Sequence, residues 1–228
     1  MESFVLSVMR AQRVIPVIRL GIADEARVVV DVLYEAGMRI IELTTSMPQV
    51  FHIGEELRAH YKDLIIGVGT LHTGEMARQA VESGAHFLVT YKVSESVAEE
   101  GLRAGIPFIL GGATPTEISR CHDLGSMMVK VFPAGSLGVS FIRDLRGPLP
   151  DIKLMPTGGI HLDNAKSWLD AGALAVGMGG AIIPQAGSID SSALKARVQN
   201  LFSTLSVSSS MIQKVVRERE GNGHAFPS

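Results

Sequence analysis

The sequence predicts a single (β/α)8 TIM barrel with an N-terminal helix, and three observations carry that prediction. Eight short runs rich in β-branched residues recur between about residues 13 and 185; each is almost continuously apolar; and longer amphipathic segments, several ending in glycine, separate them. Parallel strands covered by helices are buried on both faces and so lack polar alternation, and eight strand–helix units are what a closed parallel barrel needs. A doubly wound open sheet is the alternative architecture for the same alternation.

In chain order, residues 1–12 suit a helix across the bottom of the barrel. The expected strands are 14–18, 40–44, 64–68, 86–89, 107–110, 128–132, 153–156 and 174–178. Ala36-Gly37, Ser83-Gly84, Ala104-Gly105, Leu124-Gly125 and Ala171-Gly172 each close a helical segment just before a strand, where glycine can end a helix in the left-handed conformation. Thr114-Pro115-Thr116-Glu117 and His161-Leu162-Asp163-Asn164 offer capping side chains at helix starts. Residues 190–220 form a C-terminal helical region interrupted at Ser206–Ser210, and 221–228 read as a loose tail. The whole chain, 1–228, is expected to be one barrel domain.

Composition excludes several classes of function. With 46% apolar and 19% charged residues in 228, the chain can bury a large core. A net charge of −2 leaves no electrostatic footprint for nucleic acid. One cysteine, Cys121, allows no internal disulfide and fits a reducing compartment, and it reads as a packing residue. No apolar run approaches the ~20 residues of a membrane span, and the start of the chain does not read as a signal peptide. A cytoplasmic protein with neither nucleic-acid nor membrane partners is the expectation.

In a barrel, chemistry comes from the C-terminal ends of strands and the loops that follow. By strand alternation, Ile15, Val17 and Arg19 share one face, as do Ile40, Glu42 and Thr44, and Met128, Lys130 and Phe132. If those faces point inward, Arg19, Glu42 and Lys130 converge on the mouth. Lys130 is the sharpest anomaly, since lysine is rarely buried unless it is paired or working. Burial favours its neutral amine, the form that condenses with a ketone to a Schiff base; the alternative is a salt bridge to a barrel carboxylate such as Glu42. Lys92, after the fourth strand, is a rival on position, whereas Lys153 starts its strand at the wrong end. Glu42 fits general acid/base work or simple pairing with a cation. Arg19 fits a carboxylate clamp or a surface arginine ending its strand. Pro156-Thr157-Gly158-Gly159-Ile160 and Gly177-Met178-Gly179-Gly180-Ala181 follow the last two strands, where barrels frequently bind phosphate; tight loop packing is the alternative. Gly67-Val68-Gly69-Thr70 adds a hydroxyl, Thr70, that could bond a carboxylate. The seven histidines show no metal-ligand spacing.

With Glu42-Leu43-Thr44, Gly67-Val68-Gly69-Thr70, Lys130-Val131-Phe132-Pro133-Ala134 and Pro156-Thr157-Gly158-Gly159-Ile160 in that order, residues 10 to 185 resemble the 2-keto-3-deoxy-6-phosphogluconate aldolases, which include 4-hydroxy-2-oxoglutarate aldolases. The resemblance implies a lyase of the Entner–Doudoroff type, a class I aldolase that releases pyruvate from a small-molecule 2-keto acid. It implies no cofactor or metal, and a homotrimer. It makes Lys130 the Schiff-base lysine and Glu42 the acid/base. Arg19 and Thr70 would bind the pyruvyl carboxylate; Thr157, Phe132 and Thr44 would line the pocket; Gly158, Gly159, Gly179 and Gly180 would hold a distal phosphate. The chain departs from the family pattern at Ser46 (an arginine in some members), Thr90-Tyr91 (often Ser-Pro), Gly135 (usually glutamate) and Gly180-Ala181, which lack the frequent serine hydroxyl. A phosphate-binding isomerase or epimerase, and a catalytically silent binding barrel, are the other functions the pattern allows.

Overall fold

A strand, a helix stopped by glycine, and the next parallel strand form the repeating unit. The computed structural model describes residues 3–183 and 189–221. Helix α1 (Phe4–Gln12) leads into β1 (Val14–Ile18), α2 (Ala23–Glu35), β2 (Ile40–Thr44), α3 (Val50–His60) and β3 (Ile65–Gly69). Then come α4 (Gly74–Glu82), β4 (Phe87–Val89), α5 (Glu95–Ala104), β5 (Phe108–Gly112), α6 (Pro115–Asp123) and β6 (Met128–Val131). The chain continues through α7 (Ala134–Leu137), α8 (Val139–Leu145), β7 (Leu154–Pro156), α9 (Leu162–Asp170) and β8 (Val176–Met178), and ends in α10 (Ser191–Thr204) and α11 (Ser209–Gly221). The expected tail, 222–228, lies outside the described residues.

All neighbouring strands are parallel, in the order β7-β6-β5-β4-β3-β2-β1-β8. The ring closes between β7 and β8 through the Thr157–Gly177 bridge and the Leu174 N–H, which donates to the Leu154 carbonyl at 3.0 Å. That closure decides against the doubly wound sheet. Every residue of the eight strands is buried, which explains their unbroken apolar character. β1 and β2 span the expected residues, and the ends of the other strands differ by one or two: β3 starts at Ile65, β5 runs on to Gly112, and β8 starts only at Val176.

The five expected helix stops all have positive φ, from +67° at Gly105 to +107° at Gly172. At α6 the Thr114 hydroxyl accepts from the Glu117 N–H while the Glu117 carboxylate accepts from the Thr114 N–H, a capping box. The Ala113 N–H, then the Thr114 hydroxyl and N–H, donate to the Glu117 carboxylate and hold its carboxyl below the usual carboxylate range.

Polar side chains just ahead of strands complete the barrel floor. The Gln12 carboxamide is fully buried; its nitrogen donates to the carbonyls of Val14 and Ile40 at 2.8 Å each, and its oxygen accepts from the N–H groups of Arg39 and Ile40. His86 Nδ1 accepts from the Ile66 N–H, and Ser126 Oγ accepts from the Leu110 N–H and donates to the Met128 carbonyl. Across this floor α1 packs against α11, with Val8, Met9, Ile212 and Val216 buried.

Candidate active site

Register decides which side chains face the barrel interior, because residues paired across parallel strands share a face. Val17 pairs with Glu42 and Glu42 with Gly67; Thr44 pairs with Gly69; Gly111 pairs with Lys130 and Lys130 with Met155. The alternation expected for Glu42, Thr44 and Lys130 therefore holds, and Arg19, just past the end of β1, borders the same cavity as Val17.

Lys130 and Glu42 meet inside the barrel. The ammonium lies 3.1 and 3.3 Å from the two carboxylate oxygens, and the side chains are 6% and 0% exposed. Of the other two lysines considered, Lys92 is exposed and Lys153 precedes β7 at the floor. The pairing that served as the alternative reading of Lys130 thus exists, and it leaves the amine beside a group able to accept its proton.

Glycines on inward strand positions make room for Glu42 and for the groups around the pair. A Cβ on Gly69 would lie 2.0 Å from Glu42 Oε1; on Gly67, 2.2 Å from the Phe87 ring; on Gly177, 2.3 Å from Thr157 Oγ1; on Gly111, 2.2 Å from the Tyr91 carbonyl carbon. Sequence reasoning misses these clearances. Glycine within a strand signals some close approach, but the atom that approaches is identified only by the register.

Thr70 has φ +63°, uncommon for a β-branched residue. The Thr45 hydroxyl donates to its carbonyl at 2.8 Å, and the Arg19 guanidinium donates to its Oγ1 at 3.4 Å. So Arg19 and Thr70 come together at the rim. The Thr44 hydroxyl is buried, donating to the Ile18 carbonyl and 2.9 Å from Ser46 Oγ. Thr157 is buried beside Gly177, whereas Phe132 is 37% exposed at the mouth.

The glycines after β7 pack tightly, as the alternative reading of them had it, and with those after β8 they border a cavity. Gly158 and Gly159 have φ of +86° and +76°, and a Cβ on Gly159 would lie 2.8 Å from the Gly135 Cα. Gly135 in turn donates its N–H to the Gly158 carbonyl at 2.8 Å. A Cβ on Gly135 would lie 3.0 Å from the Gly159 Cα, so the two loops pack closely here. Asn164 secures the same turn, its amide donating to the Gly159 carbonyl while its oxygen accepts from the His161 N–H. Together with Gly179, Gly180, Arg19, Thr157 and His161, these glycines border a cavity of about 420 Å³. Cys121, on α6, is buried with its thiol donating to the Gly111 carbonyl, and burial pushes the thiol up to about 12. It is a packing residue.

Comparison with known proteins bears on this geometry directly. The family model "KDPG and KHG aldolase" matches residues 5–200. The 2-dehydro-3-deoxy-phosphogluconate aldolase of Treponema pallidum is 35% identical over 158 residues, 69% of this chain and 75% of its own. The crystal structure of the 4-hydroxy-2-oxoglutarate/2-dehydro-3-deoxyphosphogluconate aldolase from TTHB1 superimposes with a TM-score of 0.77 at 30% identity, covering 88% of this chain and 98% of the other. The KDPG aldolase of Legionella pneumophila, solved with pyruvate captured as a covalent carbinolamine, gives 0.75 at 26% identity over 89% and 97%. With its barrel, its buried lysine–glutamate pair and a family match over most of its length, the chain belongs to the KDPG and KHG aldolase family of class I aldolases, and is a lyase.

Proposed function

We propose that this one-domain barrel cleaves a 2-keto-3-deoxy-6-phosphogluconate or 4-hydroxy-2-oxoglutarate type of 2-keto acid to pyruvate and an aldehyde, through a Schiff base on Lys130. The observation that carries the reading is the Lys130–Glu42 pair at 3.1 Å in an apolar interior. Transfer of one proton from Nζ to the carboxylate leaves a free amine beside a carboxylic acid. The amine adds to the C2 ketone, and Glu42 protonates the carbinolamine oxygen so that it departs as water. Glu42 then takes the proton of the C4 hydroxyl as the C3–C4 bond breaks, with the electron pair passing into the iminium to give an enamine and an aldehyde. Protonation at C3 and hydrolysis return pyruvate and the amine.

In this reading Arg19 and Thr70 hold the C1 carboxylate, the guanidinium as a forked donor. Thr157, Phe132 and Thr44 bound the reacting carbons, and Gly158, Gly159, Gly179 and Gly180 receive a distal phosphate. The iminium is the electron sink, so neither cofactor nor metal is required. A homotrimer working in the cytoplasm, within carbohydrate breakdown of the Entner–Doudoroff type, completes the proposal.

The experiment is borohydride reduction in the presence of pyruvate, followed by peptide mapping. A stable pyruvyl adduct on the Lys130 peptide is expected, and Lys130→Arg, which keeps the charge but cannot form an imine, loses both adduct and turnover. Labelling at Lys92 instead would overturn the assignment.

A further inference from the structure

We infer that Tyr91 is a specificity-determining residue of this site, adding an apolar contact that favours binding of an aldehyde with an apolar or aromatic group over what the site would accept without it. The inference rests on the aldolase reading and adds to it the chemistry of the second substrate. Gly111 pairs directly with Lys130, and the Tyr91 carbonyl carbon occupies the place where a Gly111 side chain would begin. Adjacent strands lie about 4.8 Å apart, so the Tyr91 backbone crosses the barrel beside the stem of Lys130. The buried Thr90 fixes that crossing: its hydroxyl donates to the Lys92 carbonyl and accepts from the Gly111 N–H.

From there the Tyr91 ring reaches over β5 to Phe132, which stands two residues beyond Lys130; the centroids are 6.3 Å apart at 67°. On its other side the ring meets His72, after β3, at 5.4 Å and 71°, and its hydroxyl lies 3.3 Å from His72 Nδ1. Edge-to-face contacts of this kind fix ring orientation. Tyr91 and Phe132 nevertheless remain 37% exposed each. The loops after β3, β4 and β6 thus supply one aromatic wall of the mouth. The wall bearing Arg19, His161 and the glycines comes from β1, β7 and β8, and β4 stands four strands from β8 in either direction. The two walls meet at Phe132, since a Cβ on Gly158 would lie 3.1 Å from its ring, and Tyr91 extends the aromatic wall away from the glycine turns.

The reaction run toward synthesis isolates the aldehyde. Lys130 condenses with the ketone of pyruvate, releasing water, and loss of a C3 proton gives the enamine. C3 then attacks the aldehyde carbon, forming the C3–C4 bond as the aldehyde oxygen takes up a proton, and water restores the amine. The test compares kcat/KM for addition of pyruvate to benzaldehyde and to glyoxylate in the wild type, Tyr91→Phe, Tyr91→Ala and His72→Ala. The benzaldehyde-to-glyoxylate ratio is expected to fall about tenfold in Tyr91→Ala, the scale of losing an apolar contact in a pocket. It stays within about twofold in Tyr91→Phe, which keeps the ring, and falls about threefold in His72→Ala, which removes only the prop. Should Tyr91→Ala fail to fold, His72→Ala carries the comparison. An unchanged ratio in the alanine variants, or no addition to benzaldehyde by the wild type, overturns the inference. Borohydride trapping of pyruvate on the wild type separates the two failures. No adduct overturns the aldolase reading and this inference together, whereas an adduct with an unchanged ratio overturns this inference alone.

Discussion

Glu42 and Arg19 share the barrel mouth but are expected to fail differently when replaced. Glu42 is assigned the proton transfers, so Glu42→Gln should lower kcat by roughly 10²–10⁴-fold, the usual scale for a lost general acid/base. Arg19 is assigned to a carboxylate present in both ground and transition states, so Arg19→Ala should raise KM with a smaller effect on kcat. Steady-state kinetics of both variants on one 2-keto acid decides the matter; an unchanged KM in Arg19→Ala would mean that another group holds the carboxylate. At this scale the sequence was most informative about Lys130, because a lone cation in Met128-Val129-Lys130-Val131 has few innocent explanations. It was silent on Thr45, whose hydroxyl supports the left-handed Thr70 from the neighbouring loop. A threonine after a strand has no local signature that tells such a support from any other loop hydroxyl.

The elements themselves were largely legible, since periodicity and glycine stops are local properties. The short strand β8 was less so, because apolar residues extend beyond the paired segment: Leu174 and Ala175 read as strand yet precede it. Of the floor, the covering helix over residues 1–12 was legible, but the polar stitching of strand ends was not. Gln12, His86 and Ser126 bond backbone groups of adjoining strands, contacts that exist only once those strands are neighbours. Gln12 is the most exacting of the three. Gln12→Ala would leave unsatisfied the buried carbonyl of Ile40 and the N–H groups of Arg39 and Ile40, at ~1–3 kcal/mol for each group left without a partner. A loss of ~2–4 kcal/mol is expected after partial relaxation, read as a lower urea midpoint with an unchanged m value. A midpoint equal to wild type would show that water replaces the carboxamide.

Taken whole, the molecule separates what holds it together from what it does. The floor carries the stitched strand ends and the α1–α11 packing, while the mouth carries the ion pair, the glycine turns and the aromatic rings. Ile212, fully buried on α11, tests the separation. Ile212→Ala is expected to cost ~2–4 kcal/mol, the usual range for truncating a buried aliphatic side chain. Thermal unfolding should reveal that cost as a lowered Tm, while kcat and KM at 25 °C stay at wild-type values. A changed kcat would show that the floor is coupled to the chemistry. The family model matches residues 5–200, so α11 lies outside the matched segment, on the face of the barrel away from the ion pair.

The inward glycines have a consequence for the history of the sequence. At Gly67, Gly69, Gly111 and Gly177 a neighbouring atom stands where a Cβ would need room, and every substitution of glycine adds a Cβ. Change at these four positions is therefore one-directional: mutation can crowd the neighbours there but never relieve them. A lineage that lost Gly69 would have to reposition Glu42, and the pair returns to its place only when the glycine does. Altered substrate preference should accordingly arise on the rim, at residues such as Tyr91 and His72, where side chains can grow or shrink while the packing around the pair is kept.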